Sequence, residues 1–130
     1  HLRERGHEVV VVAPRHETEP DPAALSGASL ILLPSAALPG YPELRLAVTT
    51  VPRMVNTLRD IAPDVVHLAS PFLLGWQAVR AAEHLGIPAV AVYQTDVPSY
   101  AERYGFAALG PVFARHVARL HHRATLTLSP

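Results

Sequence analysis

The feature that most constrains the fold is a strand, a helix and a second strand that follow one another in the second half of the chain. Residues 64–68 (DVVHL) and 89–93 (AVAVY) are short runs rich in β-branched residues, which is typical of strands buried in a parallel sheet. The intervening residues 72–85 favour a helix, and Gly86 can end it. This order predicts a βαβ unit with parallel pairing and a right-handed crossover.

The rest of the chain extends this α/β pattern in both directions. The further predicted elements are the last turn of a helix at residues 1–5, strands at 8–13 and 28–33, a turn and short strand within 38–48, a helix from Pro52, a helix at 109–122 and a strand at 124–128. We therefore predict an α/β fold, a Rossmann-like parallel sheet with helices on both faces.

Length and composition fit one domain with its own core. The chain has 130 residues, of which 49% are hydrophobic and 17% charged. It starts within an apparent helix end, without Met, and stops at Pro130 after an apolar stretch. We therefore expect an internal piece of a longer protein, truncated at both ends.

Several classes of function lack support in the composition. The formal net charge is zero, so no overall field favours nucleic acid, and the absence of Cys excludes disulfides and thiolate metal sites. The sequence contains no GxGxxG loop, Walker P-loop, GxSxG elbow or HExxH motif. No apolar run reaches the roughly 20 residues that span a bilayer. We expect a cytoplasmic protein with no nucleic-acid partner.

Polar residues follow the predicted strands, where ligands bind in open parallel sheets. Ser70 follows the first strand of the βαβ unit, and Gln94, Thr95 and Asp96 follow the second. An amide, a hydroxyl and a carboxylate can bind several sugar hydroxyls, and Asp96 could orient or deprotonate an acceptor hydroxyl. Thr95 or Asp96 could equally cap the next helix, and position alone leaves both interpretations open.

Three further residues, Tyr100, Arg103 and Tyr104, come soon after this segment. For them, position alone favours packing of the rings and a solvated Arg over ligand contact.

The last predicted helix is basic and amphipathic. Arg115, Arg119 and Arg123 predict peripheral contact with an anionic membrane at its inner face, although a solvated helix surface explains them as well. The His121–His122 pair lacks the partners and spacing of a zinc site, so we predict no metal.

Four segments together resemble a known family. They are RGHEVVVVAP at residues 5–14, LPGYPELRLAV at 38–48, the run from PDVVHLASPFLLG to VAVYQTDVPSYAERYG at 63–105, and HRATLTLSP at 122–130. This order resembles the N-terminal domain of family 4 glycosyltransferases of the GT-B fold, and within the family it is most similar to the GDP-mannose-dependent α-mannosyltransferases of actinobacteria.

The resemblance implies two Rossmann-like domains that face a cleft, of which residues 1–130 are the acceptor-side one. The missing parts would be the first strand, before residue 1, and the C-terminal domain that binds the nucleotide sugar. The implied reaction is retaining transfer of mannose from GDP-mannose to a glycolipid or glycan acceptor, without a cofactor. The fragment alone is expected to be inactive. The alternatives are a nucleotide-sugar 2-epimerase and a non-catalytic sugar-binding module.

The resemblance also implies roles for individual residues. Many relatives carry His where Gln94 stands, so Gln94 would instead hydrogen-bond a sugar hydroxyl, with the leaving diphosphate taking the acceptor's proton. Gln94 and Asp96 are the predicted catalytic positions. The predicted acceptor-binding residues are Tyr41, Ser70, Thr95, Tyr100, Arg103 and Tyr104.

Overall fold

The computed structural model describes residues 2–18, 21–93 and 110–129. The chain consists of two compact units, residues 1–49 and 50–130. The strands are β1 (Val10–Pro14), β2 (Ser29–Leu33), β3 (Ser35–Leu38), β4 (Tyr41–Ala47), β5 (Val66–Leu68), β6 (Ala89–Val92) and β7 (Leu126–Leu128). The α-helices are α1 (Val51–Ile61), α2 (Leu73–Leu85) and α3 (Gly110–Arg123).

The first unit contains one parallel and one antiparallel strand pair. β1 and β2 pair in parallel, from Val10↔Ser29 to Pro14↔Leu33. Upstream, a short 3₁₀ turn at Arg3–Arg5 ends at Gly6, whose left-handed φ of 86° lets its N–H bond to the Arg3 carbonyl. The helix end predicted at residues 1–5 is thus a single 3₁₀ turn, and both predicted strands are present.

The hairpin of β3 and β4 is only partly predicted by the sequence. The two strands pair antiparallel, with a register shift between Ala37 and Leu38. The sequence indicates a turn followed by one short strand, and it misses β3. Ser35–Leu38 contains two alanines, which have a low strand propensity, so pairing with β4 rather than local preference makes this segment a strand.

The second unit contains the predicted βαβ crossover. Its sheet has the order β5-β6-β7, all parallel, with α2 between β5 and β6 in the chain and α3 before β7. Val66 donates its N–H to the Pro88 carbonyl at 2.9 Å, which starts the ladder two residues later than the sequence suggested. The α/β class and the parallel pairing are confirmed.

The core of the second unit lies among these helices and strands. α2 packs against α1, α3, β5 and β6. The fully buried side chains include Met54, Val79 and Leu120, each 1% exposed. Full burial of such a side chain contributes about 1.5–3 kcal/mol. Ala81 and Ala82 of α2 are also fully buried, and their small side chains permit close helix packing.

Local signals set the bounds of α1. Thr50 accepts a hydrogen bond from the Arg53 N–H at its start, and Pro52 lies in the first turn. At its end Ala62 adopts a left-handed conformation and its N–H bonds to the Leu58 carbonyl at 2.8 Å. Among the described residues, no helix has both the length and the apolar character needed to cross a membrane.

Candidate functional site

The sheet of the second unit brings the ends of three strands to one edge. Because β5, β6 and β7 are parallel, the residues that follow them leave the sheet on the same side. Ser70 follows β5, Tyr93 follows β6 and Ser129 follows β7, and we call this side the carboxyl edge. In open α/β sheets, ligands bind in the crevice beyond such an edge.

Ser70 lies in a tight turn between β5 and α2. Its Oγ accepts a hydrogen bond from the Phe72 N–H at 3.4 Å, and the side chain is half-buried. The backbone of Ser70 also lies close to Gly75, where an added Cβ would overlap with the Ser70 carbonyl oxygen. Ser70 therefore lies at the edge that the sequence predicted, and its role in acceptor binding stays a prediction.

The start of α2 faces the same edge. Phe72 occupies the N-cap position and offers no side-chain acceptor to the first-turn N–H groups. Phe72 and Leu73 are 38% and 46% exposed, which gives this end of the helix an apolar surface beside its N–H groups. Such a combination suits a ligand with both polar groups and an apolar face.

Tyr93 is a second aromatic residue at the carboxyl edge. Its N–H donates to the Leu128 carbonyl at 2.8 Å, which extends the β6–β7 ladder by one bond. Its ring packs edge-on against His121 of α3 at 5.6 Å between centroids, and it stays 42% exposed. His121 in turn bonds the Thr127 hydroxyl at 3.1 Å. Tyr93 was not among the site residues predicted from the sequence, although it immediately precedes Gln94.

α3 supports the turn that holds Ser70. His116 lies 3.0 Å through Nε2 from the Pro71 carbonyl oxygen, and its ring lies 5.3 Å from that of Trp76. From the sequence, His116 was interpreted only as part of the basic surface of the last helix, and no role was predicted for Trp76 of α2. The contact joins residues 45 positions apart in the chain, so local sequence carries no signal for it.

Arg123 is held within the second unit by two contacts. Its guanidinium forms a salt bridge with Glu83 of α2 at 2.5 Å and lies 5.6 Å from the Trp76 ring centroid. Arg80 lies over the same ring at 5.9 Å. Three arginines of α3 were predicted to contact a membrane. Arg115 and Arg119 are exposed and form no ion pair with a described residue, whereas Arg123 pairs with Glu83.

In the first unit, Tyr41 begins β4, opposite Leu38 of β3. Its side chain is half-buried. Gly40 precedes it with a φ of 85°, a conformation that favours glycine and turns the chain into the strand. The structure therefore fixes the backbone of Tyr41 at a hairpin, while its predicted contact with an acceptor stays a prediction.

A polar network in the first unit holds the segment after β1. Ser35 donates from Oγ to the Arg15 carbonyl, and Arg45 donates from Nε to Ser35 Oγ at 2.9 Å. Arg45 also pairs with Glu17 at 3.3 Å. This network, which was not predicted from the sequence, holds residues 15–17 at the carboxyl end of β1.

The remaining predicted site residues lie outside the described part of the chain. They are Gln94, Thr95, Asp96, Tyr100, Arg103 and Tyr104. Their roles stay predictions. Within residues 2–18, 21–93 and 110–129, no three His, Asp or Glu side chains are grouped so that they could hold a metal ion.

Comparison with known proteins gives the same family as the sequence motifs. The chain matches Glycosyltransferase Family 4 over residues 1–130. It is 46% identical to the GDP-mannose-dependent alpha-mannosyltransferase of Mycolicibacterium smegmatis and 44% identical to that of Mycobacterium tuberculosis, each over 132 aligned residues. The Corynebacterium glutamicum protein of the same name is 36% identical over 131 residues.

These alignments cover all of this chain but only part of each relative. The chain spans 35% of the two mycobacterial proteins and 32% of the corynebacterial one, about a third of their length. No solved structure matches the chain. The family resemblance predicted from the motifs is confirmed.

Proposed function

The chain belongs to glycosyltransferase family 4, and on this premise we propose that it is the acceptor-side domain of a mannosyltransferase. The complete protein would transfer mannose from GDP-mannose to a glycolipid or glycan acceptor, with retention of anomeric configuration. One observation carries the proposal: three proteins named as GDP-mannose-dependent alpha-mannosyltransferases are 36–46% identical to the whole chain. Because these relatives are named as transferases, neither an epimerase nor a binding module is favoured.

The proposed reaction needs an acceptor hydroxyl to be held beside the anomeric carbon of mannose. The hydroxyl oxygen forms a bond to that carbon while the bond to the GDP oxygen breaks, and the leaving diphosphate takes the hydroxyl proton. On this proposal Gln94 and Asp96 hydrogen-bond the reacting sugar and acceptor. The position of Ser70 and Tyr93 at one carboxyl edge supports this, since Gln94 directly follows Tyr93 in the chain.

The remaining acceptor contacts are proposed for residues that the sequence singled out. They are Tyr41, Thr95, Tyr100, Arg103 and Tyr104. The exposed rings of Phe72 and Tyr93 add apolar surface against which a sugar ring can stack. We propose that the domain needs no resident cofactor and that the remainder of the protein binds most of the GDP-mannose donor.

A glycolipid acceptor also requires access to a membrane surface. Arg115 and Arg119 lie one turn apart on the exposed side of α3 and can interact with anionic headgroups. We propose that the complete protein is cytoplasmic and makes peripheral contact with the inner face of the plasma membrane through these two residues. Arg123 contributes less to this contact, because Glu83 and Trp76 already engage it.

The test is a donor panel with the complete protein and a crude lipid extract as acceptor. We expect labelled glycolipid from GDP-mannose, and loss of transfer in Gln94→Ala and Asp96→Ala. Asp60→Ala, an exposed carboxylate of α1, is the matched control and should keep wild-type activity. Residues 1–130 alone should not transfer mannose.

Other results of the same assay would contradict the proposal. Conversion of the nucleotide sugar to its 2-epimer would identify an epimerase. Binding of free sugar without transfer from any donor would identify a binding module.

A further inference from the structure

His116 connects α3 to the turn that precedes α2. Its Nε2 lies 3.0 Å from the carbonyl oxygen of Pro71, in a partly buried position. A carbonyl oxygen only accepts hydrogen bonds, so Nε2 carries the hydrogen and donates the hydrogen bond to the Pro71 oxygen. His116 is therefore the donor whether its ring is neutral or positively charged, because both forms can carry a hydrogen on Nε2.

The His116 ring is itself held in place by its neighbours. It lies 5.3 Å from the Trp76 ring with the two planes tilted at 47°. Trp76 is flanked by the guanidinium groups of Arg80 and Arg123, at 5.9 and 5.6 Å from its centroid. Packing against Trp76 therefore favours the ring orientation in which His116 Nε2 faces the Pro71 carbonyl.

The bonded carbonyl belongs to a turn with several close contacts. Ser70 Oγ accepts a hydrogen bond from the Phe72 N–H, and the Ser70 carbonyl lies against Gly75 of α2. Leu120, one helical turn after His116, has its Cδ1 3.4 Å from the point that a Gly75 Cβ would occupy. Movement of Pro71 would therefore also move Ser70 and the first turn of α2.

We propose that His116 is a positioning residue for the acceptor site. By holding the Pro71 carbonyl, it fixes the position of the Ser70 hydroxyl and of the α2 N-terminus at the carboxyl edge, where the polyhydroxylated part of the acceptor binds. His116 acts through Pro71 and does not touch the reacting atoms. The inference rests on the proposed function, because it requires that the carboxyl edge binds the sugar acceptor and not the GDP-mannose donor.

The test compares two substitutions of His116 in the complete protein. His116→Gln places an amide N–H near the former Nε2 and can still donate to Pro71, whereas His116→Leu cannot. His84→Leu, at an exposed position near the end of α2, is the matched control. For each protein, KM for the acceptor, KM for GDP-mannose and kcat are measured, together with amide hydrogen exchange over residues 72–78.

The expected result is a selective effect of His116→Leu. Its acceptor KM should rise about three- to tenfold, as expected for one lost hydrogen bond, with the donor KM unchanged. Amide exchange at the start of α2 should accelerate, and His116→Gln should restore both measurements. The control should match the wild type.

The outcomes separate the inference from the proposed function. If the wild type transfers mannose and His116→Leu leaves the acceptor KM unchanged, or if Gln is as damaging as Leu, the positioning role is wrong. If the wild type transfers no sugar, the proposed function fails. In that case equal exchange rates in His116→Leu and the wild type would show in addition that His116 does not hold the turn.

Discussion

Gly75, in the first turn of α2, lies against the carbonyl group of Ser70 so closely that a side chain at position 75 would overlap with the carbonyl oxygen. Glycine within a helix usually costs about 1 kcal/mol relative to alanine. The residue is nevertheless suited to this position, because it lets the turn after β5 fold back onto the helix. The close approach links the position of Ser70 directly to that of α2.

Replacement of Gly75 by alanine should therefore destabilise the protein. The gain in helix propensity is outweighed by the overlap with Ser70, and we expect a net loss of about 1–3 kcal/mol in the free energy of unfolding. Urea unfolding followed by circular dichroism would measure it. Gly110→Ala is the control: nothing lies within 4 Å of its added Cβ, so stability should not fall.

Replacement of Ala62 by glycine, in contrast, should stabilise the protein. It ends α1 with φ 50° and ψ 52°, a left-handed conformation that disfavours residues with a Cβ. Ala62→Gly should raise the free energy of unfolding by about 0.5–1 kcal/mol. The same substitution at Ala114, exposed within α3, should lower it by about 1 kcal/mol. Equal effects at the two positions would contradict the left-handed assignment.

The salt bridge between Arg123 and Glu83 should contribute only modestly to the free energy of unfolding. Their side chains are 39% and 52% exposed, and solvent screens their attraction. A double-mutant cycle with Arg123→Met and Glu83→Gln should give a coupling energy of about 0.2–1 kcal/mol, smaller still at high salt. Arg123→Met should lower the free energy of unfolding more than Glu83→Gln does, because it also removes the contact with the Trp76 ring. The reverse order would contradict that contact.

Arg45 should hold the segment after β1 through the shape of its guanidinium group. It donates from Nε to the Ser35 hydroxyl and pairs with Glu17, two contacts that one lysine ammonium cannot reproduce together. Arg45→Lys should lower local stability by about 1–2 kcal/mol, seen as faster amide exchange at residues 15–18. Arg59→Lys, exposed on α1, should not change that exchange.

Membrane contact should depend on α3. Arg115→Glu combined with Arg119→Glu should weaken sedimentation of the complete protein with phosphatidylglycerol vesicles, since each basic residue near an anionic surface contributes about 1 kcal/mol. Arg53→Glu combined with Arg59→Glu makes the same charge change on α1 and should bind like the wild type. Equal binding of both double variants would exclude this role for α3.

The fold was predictable from sequence where local signals agree. The βαβ unit combines two β-branched runs with a helix that ends at Gly86, and α2, β5 and β6 follow it within two residues at each boundary. β3 was missed because Ser35–Leu38 has no strand preference of its own and depends on β4, which follows it in the chain. Local propensity does not reveal an element that only its partner stabilises.

The candidate site was predictable only in part. The position of Ser70 at the carboxyl edge was predictable because the carboxyl end of a parallel strand is set by chain order alone, and its role in acceptor binding stays a prediction. His116 and Arg123 could not, because helical periodicity shows which side chains share a face but not which neighbouring element that face meets. Both were therefore interpreted as part of a basic surface, whereas they contact Pro71, Trp76 and Glu83.

The α/β class and the order of most strands and helices were predictable from the sequence, because they depend on short-range backbone preferences and on runs of apolar residues. The family was predicted separately, from the resemblance of four sequence segments to known proteins. By contrast, the contact of α3 with the turn at Ser70 and the need for a glycine at position 75 are visible only in the folded structure. Those contacts join segments that are distant in the chain or folded back on each other. The contact of α3 arises because α2 and α3 pack together in the folded unit, and the contact at Gly75 arises because the turn after β5 folds back onto α2.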